Sequence, residues 1–180
     1  LVWESAEGLW LRRWLRGLRH PRLRPLTVVD MPLRSLYHGH WSLKGRMVPS
    51  GVSASAAVYL PGRNVVLLNC AAILATRCGL STLAIGTLAG NPFGDATPGF
   101  FKAFAACLRR ALGHPIRVMA PFLRVPKRDI VAAAPQHLCA LTFSCLKPRG
   151  TRHCGRCNKC AERQHAFHDA GLPDPTRYAR

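Results

Sequence analysis

Acidic side chains are scarce in this chain. Eight aspartates and glutamates stand against 26 lysines and arginines, which leaves a formal net charge of +18 over 180 residues. With so few acids, one placed in a glycine- and proline-rich loop after an apolar strand is a candidate for chemistry, and Asp95 in TLAGNPFGDATPG is the clearest case. Long apolar runs are missing too: no stretch of about 18 uncharged apolar residues occurs, which argues against a membrane-spanning helix. The first residues lack the basic, apolar, small-residue order of a secretory signal, and no internal repeat is apparent. What remains is a soluble chain with a core of its own, since 48% of its residues are hydrophobic and such a composition rules out wholesale disorder.

The positive field attracts phosphate, whether on a nucleotide, RNA or DNA. Twenty-one of the basic residues are arginine, with a cluster in WLRRWLRGLRHPRLRP. The plainer reading is strong, because these arginines lie opposite Leu11, Trp14, Leu15 and Leu18 as on the solvated face of an amphipathic helix. Nucleic acid is therefore the less favoured partner.

Four cysteines carry the most chemistry. Cys145 stands alone, and Cys154, Cys157 and Cys160 follow in CGRCNKC. Two-residue gaps let a tight knuckle aim successive sulfurs at one ion, and the distant cysteine closes a tetrahedron. Four sulfurs leave no open position for water or substrate, so the expected metal is a structural Zn2+. An iron–sulfur cluster is the competing metal, but its usual run asks for a fourth cysteine and a proline where Gln164 and His165 stand. Unligated thiols or a disulfide pair are the remaining alternative. His153, His165 and His168 lie near enough to substitute for a sulfur, yet read more simply as surface or packing histidines. Cys70, Cys78, Cys107 and Cys139 fall in apolar stretches, where a free thiol behaves as a small hydrophobe, and this favours a reducing, cytoplasmic compartment.

Helix and strand patterns alternate along the chain. Helices are expected over about 4–18, 64–78 and 100–112, and another opening with PKRDIVAAA. Short apolar strands are expected at LTVVD (26–30), STLAIG (81–86) and IRVMAPF (116–122). This alternation predicts an α/β fold, a parallel sheet with helices on both faces. The expected division is an α/β domain over 1–140 and a small zinc-binding lobe over 141–180. Ligands in such sheets sit beyond the carboxyl ends of the strands, which selects the loops after Gly86 and Phe122. Gly86, Gly90 and Gly94 let backbone amides approach a ligand, and Asp95 can accept from an amino or hydroxyl group. Plain turn chemistry, helix capping by Asp95 or Thr97, and a solvated first-turn role for Lys127 are the simpler alternatives. His38 and His40 are conceivable acid/base groups, against loop histidines with no catalytic task.

The order of LPGRN, STLAIG, NPFGDATPGFF, MAPFLRVPKRDIV and LTFSCLKPRG, followed by HCGRCNKCAERQHAF and DAGLPDPTRY, resembles the 7-cyano-7-deazaguanine synthases of queuosine and 7-deazapurine biosynthesis. WESAE and HWSLKG look like that family's early region, so the likeness covers nearly the whole chain. The resemblance implies an adenine-nucleotide hydrolase-like, Rossmann-like fold with a structural zinc. It also implies a ligase that uses ATP with Mg2+ and ammonia to convert 7-carboxy-7-deazaguanine into the nitrile. Carried over by position, Cys145, Cys154, Cys157 and Cys160 would be the metal ligands. Arg63 and Asn64 match the family's RN pair, Asp95 its aspartate loop and Lys127 the lysine opening the late helix. With Gly86 these are the expected substrate and nucleotide contacts; the catalytic proton-transfer groups are unassigned.

One departure stands out. The family's SGGxDS-type phosphate loop does not occur in these residues, and the tyrosine and cysteine often found in its aspartate loop are missing from TLAGNPFGDATPG. Backbone amides of such a loop cradle phosphates, so the expectation is a chain without the first strand and its loop, and inactive by itself. A related ATP-using tRNA-modifying enzyme and a catalytically degenerate zinc-stapled scaffold are the alternative functions. A homo-oligomer is compatible with the sequence, and no membrane partner is expected.

Overall fold

The computed structural model describes residues 1–18 and 20–179. Its helices are α1 (Glu4–Leu18), α2 (Trp41–Lys44), α3 (Arg63–Arg77), α4 (Pro98–Leu112), α5 (Lys127–Ala133), α6 (Gln136–Cys139) and α7 (Asn158–Asp169). Two strands, β1 (Thr82–Ala84) and β2 (Arg117–Met119), and 3-10 turns at Ser55–Val58 and Gly94–Ala96 complete the order. The strands pair in parallel, Thr82 opposite Arg117 and Ala84 opposite Met119, with α4 as the crossover that a parallel pair requires. The result is α/β, as expected, although the described sheet has two strands.

Two compact units share the chain: Ser55–Lys127 forms one, and Leu1–Ala54 joins Arg128–Arg180 in the other. In the Ser55–Lys127 unit, side-chain spacing sets the packing. Helix α3 buries Asn64, Leu68, Ala72 and Ala75, and α4 buries Phe101, Ala105 and Leu108, each a stripe of three- and four-residue steps. Leu68, Leu83, Phe101, Leu108 and Ile116 meet in one apolar cluster, each large side chain there worth about 1.5–3 kcal/mol of burial. Thr97 caps α4 by accepting from Phe100 N at 3.1 Å, and Pro98 takes the first turn, where a missing N–H costs nothing.

The other unit joins the first 54 residues to the cysteine-rich tail, so the division does not fall at 140/141 as the sequence suggested. Backbone pairing explains why. Gly51 N donates to Arg156 O and Asn158 N to Pro49 O, both at 2.9 Å, while Asn158 Nδ2 reaches Ser53 O at 2.9 Å. Trp10 Nε1 donates to Thr151 O at 2.7 Å. These bonds stitch the early segment to the lobe, so the lobe does not stand alone.

The expected strand at 26–30 is not one. Leu26, Val28 and Val29 are 41%, 62% and 52% exposed, and no strand pairs with this segment among the described residues. An apolar run becomes a buried strand only when neighbours cover both faces. Cys78 and Cys107 likewise lie exposed, not packed as small hydrophobes.

Candidate metal centre and ligand edge

The four sulfurs of Cys145, Cys154, Cys157 and Cys160 lie within 4.8 Å of one another. The pairs Cys154–Cys160 and Cys145–Cys157 are each 4.0 Å apart. A tetrahedral ion with metal–sulfur bonds of about 2.3 Å has sulfur–sulfur edges of roughly 3.8 Å, so the donor set fits a single metal ion. The chain shapes the site locally. Cys157 and Cys160 sit at the start of α7, and Gly155 turns the knuckle with φ +75°, a conformation that a Cβ disfavours. Amides converge on the sulfurs: Leu146 N donates to Cys157 Sγ and Lys147 N to Cys145 Sγ, both at 3.3 Å, and Cys154 N to Cys145 Sγ at 3.2 Å. Hydrogen bonds from Cys145 and Cys160 hold Cys157 well below the ordinary thiol range. Hydrogen bonding to Cys157 pushes Cys145 up to about 12.

A Cβ added at Gly155 would sit 3.4 Å from Tyr178 Cβ, so the residue has both a left-handed backbone and a close neighbour. Gly155→Ala is expected to cost about 1–2 kcal/mol from the backbone conformation. Urea denaturation at matched metal content checks this; unchanged stability would mean that the knuckle relaxes freely.

Around the cluster, polar groups that sequence reasoning missed lock the tail in place. Arg163, 5% exposed, donates through Nε to Thr176 Oγ1 and through one terminal nitrogen to Thr142 Oγ1, both at 2.6 Å, and through the other to Cys139 O at 2.9 Å. Its guanidinium also lies 3.5 Å from Asp174 Oδ1 and over the Phe167 ring. Tyr178 donates its hydroxyl to Asp174 Oδ2. Burial pushes Asp174 up, but hydrogen bonds from Thr176 and Tyr178 and the Arg163 charge bring it net below the usual carboxylate range. The ERQHAF run at 162–167 was the available signal, since an arginine inside an apolar helical stripe must find partners.

The histidines sort cleanly. His153 is buried; its Nε2 accepts from Ser144 N at 3.1 Å, and burial together with the Arg163 charge lowers its imidazole to about 4. It is a neutral packing residue beside the cluster. His165 and His168 are exposed. His40 caps α2, its Nδ1 accepting from Ser42 N, and His38 is an exposed neighbour.

In the Ser55–Lys127 unit, the loops at the strand ends meet. Ala89 N donates to Val125 O at 3.2 Å, tying the loop after β1 to the loop after β2. Tyr59 and Phe93 rings stand 4.9 Å apart. Asn64 N donates to Asp95 Oδ2 at 3.1 Å and Asn64 Nδ2 to Asp95 O at 2.9 Å. Gly62, the N-cap of α3, has no side chain to offer, so Asp95 supplies the missing acceptor from another segment. Asp95 thus caps α3 and not the helix at Pro98 that it precedes in the chain, where Thr97 is the cap. Arg63 and Gly86 are exposed, and Lys127 is half-buried at the start of α5. Thr87, just past β1, is 6% exposed, and its hydroxyl has no hydrogen-bond partner among the described residues. Sequence offered no sign of it.

A family model described as queuosine biosynthesis protein QueC matches residues 25–171. Among curated relatives, the 7-cyano-7-deazaguanine synthase of Rhizobium meliloti (strain 1021) is 42% identical over 140 residues, 73% of this chain and 59% of the relative. The protein of the same name from Rhizobium leguminosarum bv. trifolii (strain WSM2304) is 40% identical over 140 residues, with the same coverage. The one from Paracoccus denitrificans (strain Pd 1222) is 37% identical over 164 residues, 86% of this chain and 70% of the relative. The chain therefore spans 59% of the length of the first two relatives.

Proposed function

The chain belongs to the QueC family of queuosine biosynthesis proteins, and on that premise we propose that it takes part in making 7-cyano-7-deazaguanine from 7-carboxy-7-deazaguanine and ammonia, with ATP as activating co-substrate. In this reading a carboxylate oxygen of the acid attacks the α-phosphorus of Mg2+-bound ATP, and pyrophosphate leaves. Ammonia adds to the acyl carbon, AMP departs with loss of a proton, and the amide remains. A second ATP activates the amide oxygen in the same way; AMP leaves, both amide protons are lost, and the nitrile forms.

The observation that carries the reading is the meeting of the RN pair with the aspartate loop through Asn64 and Asp95. Arg63 and Lys127 supply positive charge for carboxylate or phosphate oxygens. Gly86 lets the backbone approach the ligand, Asp95 accepts from an amino or hydroxyl group, and Thr87 has a buried hydroxyl to offer. Zinc is the proposed ion at the four cysteines, because sulfurs this close enclose one ion and leave no space for a multi-iron cluster. Bound there, it supplies folding energy and no chemistry. The reducing cytoplasm is the proposed compartment, consistent with the exposed thiols of Cys78 and Cys107.

The test is a coupled assay of the full gene product with ATP, ammonium and 7-carboxy-7-deazaguanine, following AMP and nitrile together. Asp95→Ala is expected to cost about 1 kcal/mol of stability through the lost cap and also to reduce kcat/KM. Asp95→Asn keeps an acceptor at the helix start but removes the charge, so stability should hold to within about 0.5 kcal/mol while kcat/KM falls roughly tenfold. Full activity in Asp95→Asn would leave Asp95 a cap only, and no AMP or nitrile from the wild type would refute the activity.

A further inference from the structure

The edge of β2 opens into a groove that neither the ligand edge nor the metal centre uses. Its volume is about 450 Å³, and its lining includes Lys102 and Arg109 from α4, Arg117 and Val118 from β2, and Ala120 and Leu123 beyond the strand. Lys102, Arg109 and Arg117 are exposed, whereas Val118, Ala120 and Leu123 are half-buried and form an apolar floor. Among the described residues, no acid lines it.

Backbone direction follows from the ladder. Arg117 N donates to Ser81 O at 2.7 Å, and Met119 O accepts from Ile85 N at 2.9 Å, so residues 117 and 119 spend their amides and carbonyls on the β1 side. In a parallel pair the residue between them faces the other way. The amide and carbonyl of Val118 therefore point to the edge away from β1, into the groove that Val118 lines. Arg109 already covers the preceding outward carbonyl, donating to Ile116 O at 3.2 Å. An open strand edge is a template for another strand, and three cations around it select the charge of what pairs there.

We propose that this groove binds an extended, acidic peptide segment of a partner protein, which adds a strand to β2 through Val118 and sets carboxylates against Lys102, Arg109 and Arg117. A second copy of this chain is a poor occupant: it has eight acids against 26 lysines and arginines, so a second β2 edge would bring cations, not carboxylates, against Lys102, Arg109 and Arg117. Strand addition draws affinity from main-chain hydrogen bonds and selectivity from side chains that alternate along the guest. The charge requirement adds association rate and discrimination.

The probe is a short, fluorescently labelled peptide alternating glutamate with valine, titrated into the intact chain and followed by polarisation. Saturable binding is expected, with a lysine–valine counterpart inert. N-methylation of the peptide amides leaves the charges in place but removes main-chain donors, and should weaken binding roughly tenfold; equal affinity for the methylated peptide overturns strand addition. Arg117→Glu and Lys102→Glu should each weaken it by roughly tenfold, with the fold of each variant verified by circular dichroism. Arg46→Glu, outside the groove, should change it little. If Arg46→Glu matches the groove variants, or a single-stranded RNA displaces the peptide with the same Arg117 dependence, the groove is a general anion surface and the proposal fails.

Discussion

Cys157→Ser is expected to leave the protein without bound metal and unable to hold its Leu1–Ala54 and Arg128–Arg180 unit. Cys157 accepts the Leu146 amide at 3.3 Å, lies 4.0 Å from the Cys145 sulfur and is 4% exposed. The substitution therefore replaces a soft thiolate ligand with a hydroxyl on a shorter bond, which also moves the acceptor away from the Leu146 amide. Binding of a structural zinc is worth about 10–16 kcal/mol in small zinc-finger peptides, as much as the whole net stability of a typical domain, roughly 5–15 kcal/mol. Metal analysis of the wild type should return about one zinc per chain, and a strong chelator should melt this unit. Abundant iron with visible absorption would overturn the zinc assignment. A Cys157→Ser protein that keeps its metal and its melting transition would show that three sulfurs suffice.

Arg163→Ala carries the second large effect. The side chain is fixed by three hydrogen bonds and the Asp174 carboxylate. Removing it leaves Cys139 O with only its Thr142 partners and Asp174 facing no cation among the described residues. Deleting one partner of a buried ion pair costs about 3–5 kcal/mol, so the urea midpoint should fall sharply. Arg163→Lys keeps the charge but lacks the planar fork that serves several acceptors at once, and it should recover only part of the loss. A drop of less than about 1 kcal/mol in Arg163→Ala would mean that this clamp holds nothing. Loosening should appear first at the tail, where Tyr178 lies against Gly155 and Ala179 N donates to His153 O at 2.8 Å.

Both predictions concern residues whose weight was unequally visible beforehand. Cysteine spacing alone announced that four thiols would share one place, because two-residue knuckles aim successive sulfurs at one point, and the four sulfurs do converge. Arg163 was visible only as part of a run. Its bonds go to Cys139, Thr142, Thr176 and Asp174, partners spread along the chain that no local pattern links. The same holds for the ligand edge. The glycine- and proline-rich loops named the segments, whereas the Asp95–Asn64 bonds and the orphaned Thr87 hydroxyl depend on where those loops close.

The amino-acid sequence by itself determined helices α1, α3, α4 and α5, the parallel alternation and the convergence of four cysteines, because each rests on short-range rules of period, capping and ligand spacing. Helix α1 runs over Glu4–Leu18, the span its apolar stripe predicted. Tertiary structure decided which segments share a core. It joined residues 49–53 to the cysteine tail through Gly51, Asn158 and Ser53, and moved the unit boundaries to 54/55 and 127/128. It also left Val28 and Val29 exposed in a segment that reads as a buried strand. Burial is a property of neighbours, and an apolar run states only that it would accept them.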